Sequence, residues 1–327
     1  MKKYILPIII TLFTLFIAAW YVPLEQLSQI SKQITLRGLL IGFVLYLISY
    51  IVVALRWRVI FAEGLGGTLQ ASPFLLLLMT GSHQFYANFL PARTGDLTIL
   101  YLAKKHLKIE SALSMSSLII ARAFDFLVLG ILAVVFIAWQ HHQRTLLHPA
   151  AAFFTLGLLC LPVAGILSAL IWGKNMAVWI DLHAVHYLTG RGLKRLIRLA
   201  QFLSRTIKML SERKPEMFYI KCLGLSLVLM LVRVALLSTF VLFSPHSVPF
   251  LTGCLIGLCT LVASTIPLQG FLGLGPFEGG WVLGYVLAGF SSEEGLITAF
   301  NAHLLIIVFL VGLGSLSNFL LLRIRKD

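Results

Sequence analysis

The chain has 327 residues, of which 59% are hydrophobic and 12% charged, with a mean hydropathy of +0.96. A soluble domain carries about 25% charged residues, so this composition excludes a water-soluble enzyme, a disordered protein and a secreted disulfide scaffold. Lysine and arginine outnumber aspartate and glutamate 26 to 12, a net charge of +14. In a membrane protein the placement of that excess relative to the bilayer matters more than its sum, and no nucleic-acid partner is expected.

In chain order, the apolar run after Met1-Lys2-Lys3 is longer than the core of a signal peptide and lacks a small-x-small cleavage site, so it reads as a first spanning helix. A span needs about 20 mostly apolar residues. Six segments meet that test, at about 4–22, 38–58, 111–139, 151–172, 217–243 and 296–322. Two further apolar stretches, about 70–103 and 250–290, are interrupted by Asn88-Phe-Leu-Pro-Ala-Arg-Thr-Gly-Asp96 and by Pro267-Leu-Gln-Gly-Phe-Leu-Gly-Leu-Gly-Pro-Phe-Glu278. Such proline and glycine clusters break a helix, and each stretch is expected to form a re-entrant hairpin of two half-helices. Between the fourth and fifth spans, over about 190–210, Leu193, Leu196, Ile197, Ala200, Leu203, Ile207 and Leu210 form an apolar stripe. Arg191, Lys194, Arg195, Arg198 and Arg205 lie largely opposite. This is a basic amphipathic helix, expected either on the cytoplasmic leaflet against anionic lipid heads or as a connector that sets topology.

With both termini in the cytoplasm and both hairpins re-entrant, 20 of the 26 basic residues fall inside, Arg56 and Arg58 among them. Three fall outside, and Arg93, Arg122 and Arg233 remain at membrane depth. That asymmetry points to a multi-pass protein of the cytoplasmic (inner) membrane with both ends inside. The first hairpin then enters from the cytoplasmic side and the second from the outer side, at matching places in halves of about 1–140 and 151–327. Oppositely oriented, interrupted segments mark an inverted repeat with a transport site between its halves. The expected fold is thus all-α: a single transmembrane domain over 1–327, with about six spanning helices and two oppositely oriented re-entrant hairpins.

Cys160, Cys222, Cys254 and Cys259 all sit in apolar runs and read as packing residues. His141, His142 and His148 beside Arg144 have no carboxylate or cysteine to complete a metal site. No Walker loop, GxSxG, HExxH or aspartate-rich metal motif is present. No cofactor and no enzymatic activity are therefore expected, and transport would be secondary or equilibrative.

Ionisable groups at membrane depth are costly and mark function. Here they balance: Arg93, Arg122 and Arg233 against Asp96, Asp125 and Glu278. Arg122 and Asp125, three apart, are placed to form a local ion pair. Arg233 has no partner nearby in sequence and is expected to find Asp96, Asp125 or Glu278 across the bundle. Arg93 and Asp96 lie where unwound backbone, a half-helix N-terminus and a forked guanidinium together suit a phosphate head group. Asn88 could bond the same group or cap the next half-helix, and the plain alternative is a self-contained turn pairing Arg93 with Asp96. Glu278 and Gln269 mirror them in the second hairpin, Glu278 as a proton-titrating group or counter-charge. His83 and His303 read as packing residues or proton relays.

Asn88-Phe-Leu-Pro91-Ala-Arg93-Thr-Gly95-Asp96 resembles the N-x-x-P-x-R-x-G-D hallmark of the lysylphosphatidylglycerol synthase transmembrane-region family, the flippase-like membrane domains. Arg122-Ala-Phe-Asp125 and the loop ending Gly273-Leu-Gly275-Pro-Phe-Glu278 also fit, whereas Pro267-Leu-Gln-Gly replaces a tighter Pro-Gly-Gly run. The resemblance spans nearly the whole chain. It implies translocation of an anionic phospholipid or polyprenyl-phosphate-linked lipid, with membrane lipids around it and a lipid synthase or glycosyltransferase as a possible partner. These 327 residues hold no aminoacyl-transferase domain, so synthase activity is not expected of them. The rival readings are a membrane enzyme that modifies a lipid head group through Asp96 or Glu278 as general base, and a non-transporting scaffold for such a synthase.

Overall fold

The structure, a computed structural model, describes residues 35–142, 172–185, 194–212, 215–242, 248–266 and 268–324, with Leu12, Ala164 and Ser168 singly. The expected spans 4–22 and 151–172, those single residues and Trp172 apart, lie outside the described residues, as do Cys160, Pro267 and the side chains of the 141–148 histidine cluster. The described elements are α1 (Leu36–Gly64), α2 (Pro73–Phe89), a 3-10 turn (Pro91–Leu97), α3 (Thr98–Leu102) running into a π-helical turn (Ala103–Leu107), and α4 (Ser111–His142). There follow α5 (172–179) with a π-helical turn (Ile180–Val185), α6 (Lys194–Ser211), α7 (Glu216–Leu242), α8 (Phe250–Ala263), a 3-10 turn (Phe271–Gly273), α9 (Pro276–Leu287) and α10 (Ser292–Arg323). No strand occurs among the described residues.

Four of these helices, α1, α4, α7 and α10, are long and apolar enough to cross a membrane, and they coincide with four of the expected spans. Local chemistry fixes where they and α2 begin. Thr35 Oγ1 accepts from the Gly38 N–H at 3.2 Å, and Ser72 Oγ accepts from Leu75 at 3.1 Å just ahead of Pro73. Ser291 and Glu294 form a reciprocal capping box at the start of α10.

Both interrupted stretches form helix–break–helix units. The second is a closed antiparallel hairpin: Gly280 of α9 lies against Thr260 and Ala263 of α8, and Gly284 against Ile256. At about 1.5 Å per residue, α8 with 14 residues and α9 with 12 span roughly 21 and 18 Å, less than the hydrocarbon thickness of about 30 Å. In the first unit α3 packs back on the end of α2.

Packing repeats with the halves exchanged. Helices α1 and α7, which hold the same place in their halves, pair along their lengths and run antiparallel: Gly42 meets Phe240, and Arg56 meets Ser226. Helix α1 packs on α2 as α7 does on α8, and α3 on α4 as α9 does on α10. Each hairpin also crosses over, α2 to α10 and α8 to α4. The two breaks touch at the centre, where the Ala92 N–H donates to the Gln269 carbonyl at 3.1 Å.

This packing gathers Arg58, Lys104, Lys105, Lys108, Lys221 and Arg323 at one end of the bundle, with Glu63, Glu110 and Glu216 among them, and leaves Arg37, Glu293 and Glu294 at the other. The basic helix α6 packs on α4 and on the turn after α5; Ser204 donates to the Ala177 carbonyl at 3.1 Å, and Arg205 pairs with Glu110 at 3.1 Å on the surface. Its expected apolar stripe is split. Ala200 and Leu210 are buried against the protein, while Leu196 and Leu203 stay exposed.

A Cβ at Gly284 would stand 2.6 Å from the Ile256 Cα, whereas one at Gly279 would meet nothing within 4 Å. Gly284→Val must therefore part α8 from α9. A loss of about 1–3 kcal/mol, seen as a lower unfolding midpoint in detergent, is expected, with Gly279→Ala unchanged beside it.

Candidate functional site

The two breaks have left-handed backbone at their tips. Ala92 and Arg93 both have φ of 53°, and Leu272 has φ of 58°. Such values cost about 1–3 kcal/mol per non-glycine residue and persist only where surrounding contacts fix them. The fixing contacts here are the Ala92–Gln269 bond and the Arg93 side chain, whose Nη2 donates to the Ser264 carbonyl at the C-terminal end of α8. A guanidinium there satisfies an orphan carbonyl and suits the negative end of the helix dipole. Gly95 lets the turn close on α2, because a Cβ at that position would collide with the Tyr86 carbonyl.

The buried charges join into one alternating chain. Arg56 of α1 pairs with Asp125 of α4 through Nη1 and donates to Ser226 Oγ of α7 at 3.1 Å. Asp125 lies 3.7 Å from Arg122, and Arg122 Nη2 reaches both carboxylate oxygens of Asp96 at 2.6 and 2.7 Å. Asp96 in turn lies 4.0 Å from Arg93. Two sequence expectations are corrected by this arrangement, and a third is met in part. Arg56 is 4% exposed and belongs to the core, not to a cytoplasmic segment. Two residues apart on a helix are about 200° apart around its axis, so Arg58 faces outward where Arg56 faces in. The buried charges then number four arginines against three carboxylates, not three against three. The local ion pair expected of Arg122 and Asp125 does form, at 3.7 Å, but each of them has a closer partner from another element.

A cavity of about 190 Å³ lies where the breaks meet. Of the twelve residues the sequence singled out, Asn88, Arg93, Asp96, Arg122, Arg233, Gln269 and Gly273 line it. The other five do not: Pro91 and Gly95 shape the first break, Asp125 is 5% exposed behind Arg122, and Gly275 and Glu278 belong to the start of α9. Glu278, 2% exposed, is a latch rather than a free carboxylate. Its Oε1 lies 2.5 Å from His303 Nδ1, and its Oε2 accepts from the Gly275 N–H at 2.8 Å, where φ of 104° demands glycine. His303 stacks on Phe277 at 4.2 Å and does line the cavity. His83 does not; it is buried between Trp57 and Thr98 as a packing residue.

The cavity is rich in donors. Three guanidiniums line it against one carboxylate, that of Asp96. The Arg93 Nε and the Tyr50 hydroxyl are buried without a hydrogen-bond partner. Arg233, expected to pair across the bundle, makes no ion pair or hydrogen bond among the described residues. Asn88 is anchored by its amide to the Gln84 carbonyl at 2.8 Å. Sequence reading missed Tyr46, Ser49 and Tyr50, which line the cavity from α1. Their spacing of three and four along α1, against the neighbouring aliphatic run, is the signal that could have found them.

The chain matches the family model of the lysylphosphatidylglycerol synthase TM region over residues 4–314, and it belongs to that family. The family is a membrane domain linked to lipid synthesis or flipping, and the protein is a membrane-embedded, multi-pass member of it. No curated protein and no solved structure matches the chain.

Structural and cavity arginines should respond oppositely to neutralisation. Arg56→Ala leaves Asp125 short of its closest buried partner, and a loss of about 3–5 kcal/mol is expected. Arg56→Met with Asp125→Leu should recover most of it. Arg233→Met removes an unpaired charge from the interior and should leave the unfolding midpoint unchanged or raise it. Thermal unfolding of the four proteins in one detergent ranks them.

Proposed function

We propose that the protein translocates an anionic lipid, a phospholipid or a polyprenyl-phosphate-linked lipid, across the cytoplasmic membrane without chemical change. The two helix–break–helix units act as oppositely oriented re-entrant hairpins of an inverted repeat, and the head group passes through the cavity where their breaks meet. The observation that carries this reading is the surplus of donors: Arg93, Arg122, Arg233 and Tyr50 line one cavity whose single carboxylate, that of Asp96, is already held by Arg122. A buried donor without an acceptor costs about 1–3 kcal/mol, and phosphate oxygens supply several acceptors at once. Arg233 is the principal head-group ligand and Arg122 contributes its open side, being 30% exposed. Arg93 chiefly positions the first break.

The shortness of α8 and α9 supports re-entry over full crossing. We read the basic end, with α6 lying along it, as the cytoplasmic side by the positive-inside rule, which supports a cytoplasmic C-terminus and, with the expected span 4–22 crossing once, a cytoplasmic N-terminus. A lipid synthase or glycosyltransferase working at that leaflet is the natural partner. Movement would be secondary or equilibrative. The Glu278–His303 pair is the one feature that would serve head-group chemistry instead, but no hydroxyl or thiol nucleophile is hydrogen-bonded to His303 among the described residues.

The test is protein reconstituted in vesicles carrying head-group-labelled phosphatidylglycerol, phosphatidylcholine or a labelled polyprenyl phosphate, with label exposure followed by dithionite quenching. Wild type should speed exposure of an anionic lipid over the zwitterionic one. Arg233→Gln should slow it at least about tenfold, as loss of a charged hydrogen bond implies, and Tyr50→Phe should slow it several-fold. An Arg233→Gln protein that moves lipid at the wild-type rate would sink the assignment, and a changed lipid mass would replace it with head-group chemistry.

A further inference from the structure

A second cavity, of about 320 Å³, opens between α1 and α2. Its walls are Ile51, Ala54 and Leu55 on one side and Phe74, Leu76 and Leu77 on the other. Arg58 and Pro73 complete the lining, and Arg58 is its one charged residue. Ile51, Leu55 and Phe74 are exposed, while Ala54 and Leu76 form the buried floor. The groove therefore lies on the outer surface of two membrane helices and is separate from the central cavity, with which it shares no residue.

Its chemistry changes along its length. Ile51, Leu55 and Arg58 stand at spacings of four and three, hence on one face of α1, and the step from Ile51 to Arg58 is about 10 Å. The deep part is wholly apolar. The mouth holds the Arg58 guanidinium, which is exposed and makes no hydrogen bond or ion pair among the described residues. Pro73 and Phe74 at the same mouth form the first turn of α2, whose positive dipole end adds to that charge. The mouth also lies at the basic end of the bundle, with Lys104, Lys105 and Lys221. An apolar slot about 10 Å deep under an unpaired cation matches one class of molecule, a lipid with an acyl chain below and an anionic head above.

We infer that this groove binds one anionic phospholipid from the leaflet at the basic end, its acyl chain between α1 and α2 and its phosphate on Arg58 and the start of α2. The site does not depend on the translocation reading, since its occupant stays in one leaflet. It would tie α1, which carries Arg56 and Tyr50, to the lipid composition around the protein.

The experiment is native mass spectrometry of the whole protein in detergent, titrated separately with phosphatidylglycerol and phosphatidylcholine. Four proteins are compared: wild type, Arg58→Gln, Ile51→Trp to fill the groove from an exposed position, and Arg233→Gln. Beyond any lipid in the central cavity, one phosphatidylglycerol should be held more tightly than phosphatidylcholine by wild type and by Arg233→Gln. Its affinity should fall about fivefold in Arg58→Gln, the worth of one interfacial basic residue, and at least as far in Ile51→Trp. Monodispersity on gel filtration and an unchanged unfolding midpoint establish that each variant is folded. Equal retention in Arg58→Gln and Ile51→Trp would overturn the site. So would loss of the lipid in Arg233→Gln alone, which would place it in the central cavity, or equal retention of phosphatidylcholine, which would make it general belt lipid.

Discussion

The alternating run Arg56–Asp125–Arg122–Asp96–Arg93 is the constraint on which the centre of the molecule depends. Charges removed from water are tolerated only when paired, and each carboxylate here sits between two guanidiniums. The run ties α1 to α4, α4 to the first break, and through Arg93 the first break to the end of α8. Its two ends differ. Arg56 is sealed in, its side chain 5% exposed and its second partner a serine of α7. Arg93 and Arg122, with side chains 24% and 30% exposed, open on the cavity. An odd number of charges beginning and ending with arginine leaves one positive charge over, and the accessible end lies where Arg233 adds another.

The same run explains how the first break keeps an unfavourable backbone. Two successive residues in the left-handed region would relax if released. Ala92 is held through its N–H and Arg93 through its guanidinium, both by the second hairpin. The second break solves its turn differently, with Leu272 followed by two glycines of positive φ and a closing bond from the Gly270 N–H to the Leu274 carbonyl at 2.9 Å. The hairpins thus match in shape and place while differing in what secures them. One is locked by a long side chain and the other by glycine, with the Glu278 latch behind it.

This division also decides how much was legible in the sequence. The four long helices follow from continuous apolarity, and capping by Thr35 and Ser291 is local chemistry, so their ends fall within four residues of expectation, except that α1 runs six residues past 58 to Gly64. The breaks announce themselves because proline and glycine act on the backbone at their own positions. Ion-pair partners do not, since a spacing of three offers Arg122 the nearby Asp125 while the fold offers it the better placed Asp96. In sequence Arg56 reads with Arg58 as flanking charge, because no local signal says which of two arginines faces the bundle. Tyr50 is one aromatic among many in an apolar run, and its significance arises only once the opposite wall of the cavity is in place.

The bond between the Ala92 N–H and the Gln269 carbonyl joins the two hairpin tips through main chain alone. A main-chain contact is indifferent to the identity of the side chains that flank it, so alanine scanning would pass across the junction without registering it. Drift of residue identity at either position leaves the bond itself in place. Only an imino acid at the donor position deletes the hydrogen. The point where the two halves of the molecule hold each other most directly is therefore one that neither a motif search nor a conventional mutant library is built to see.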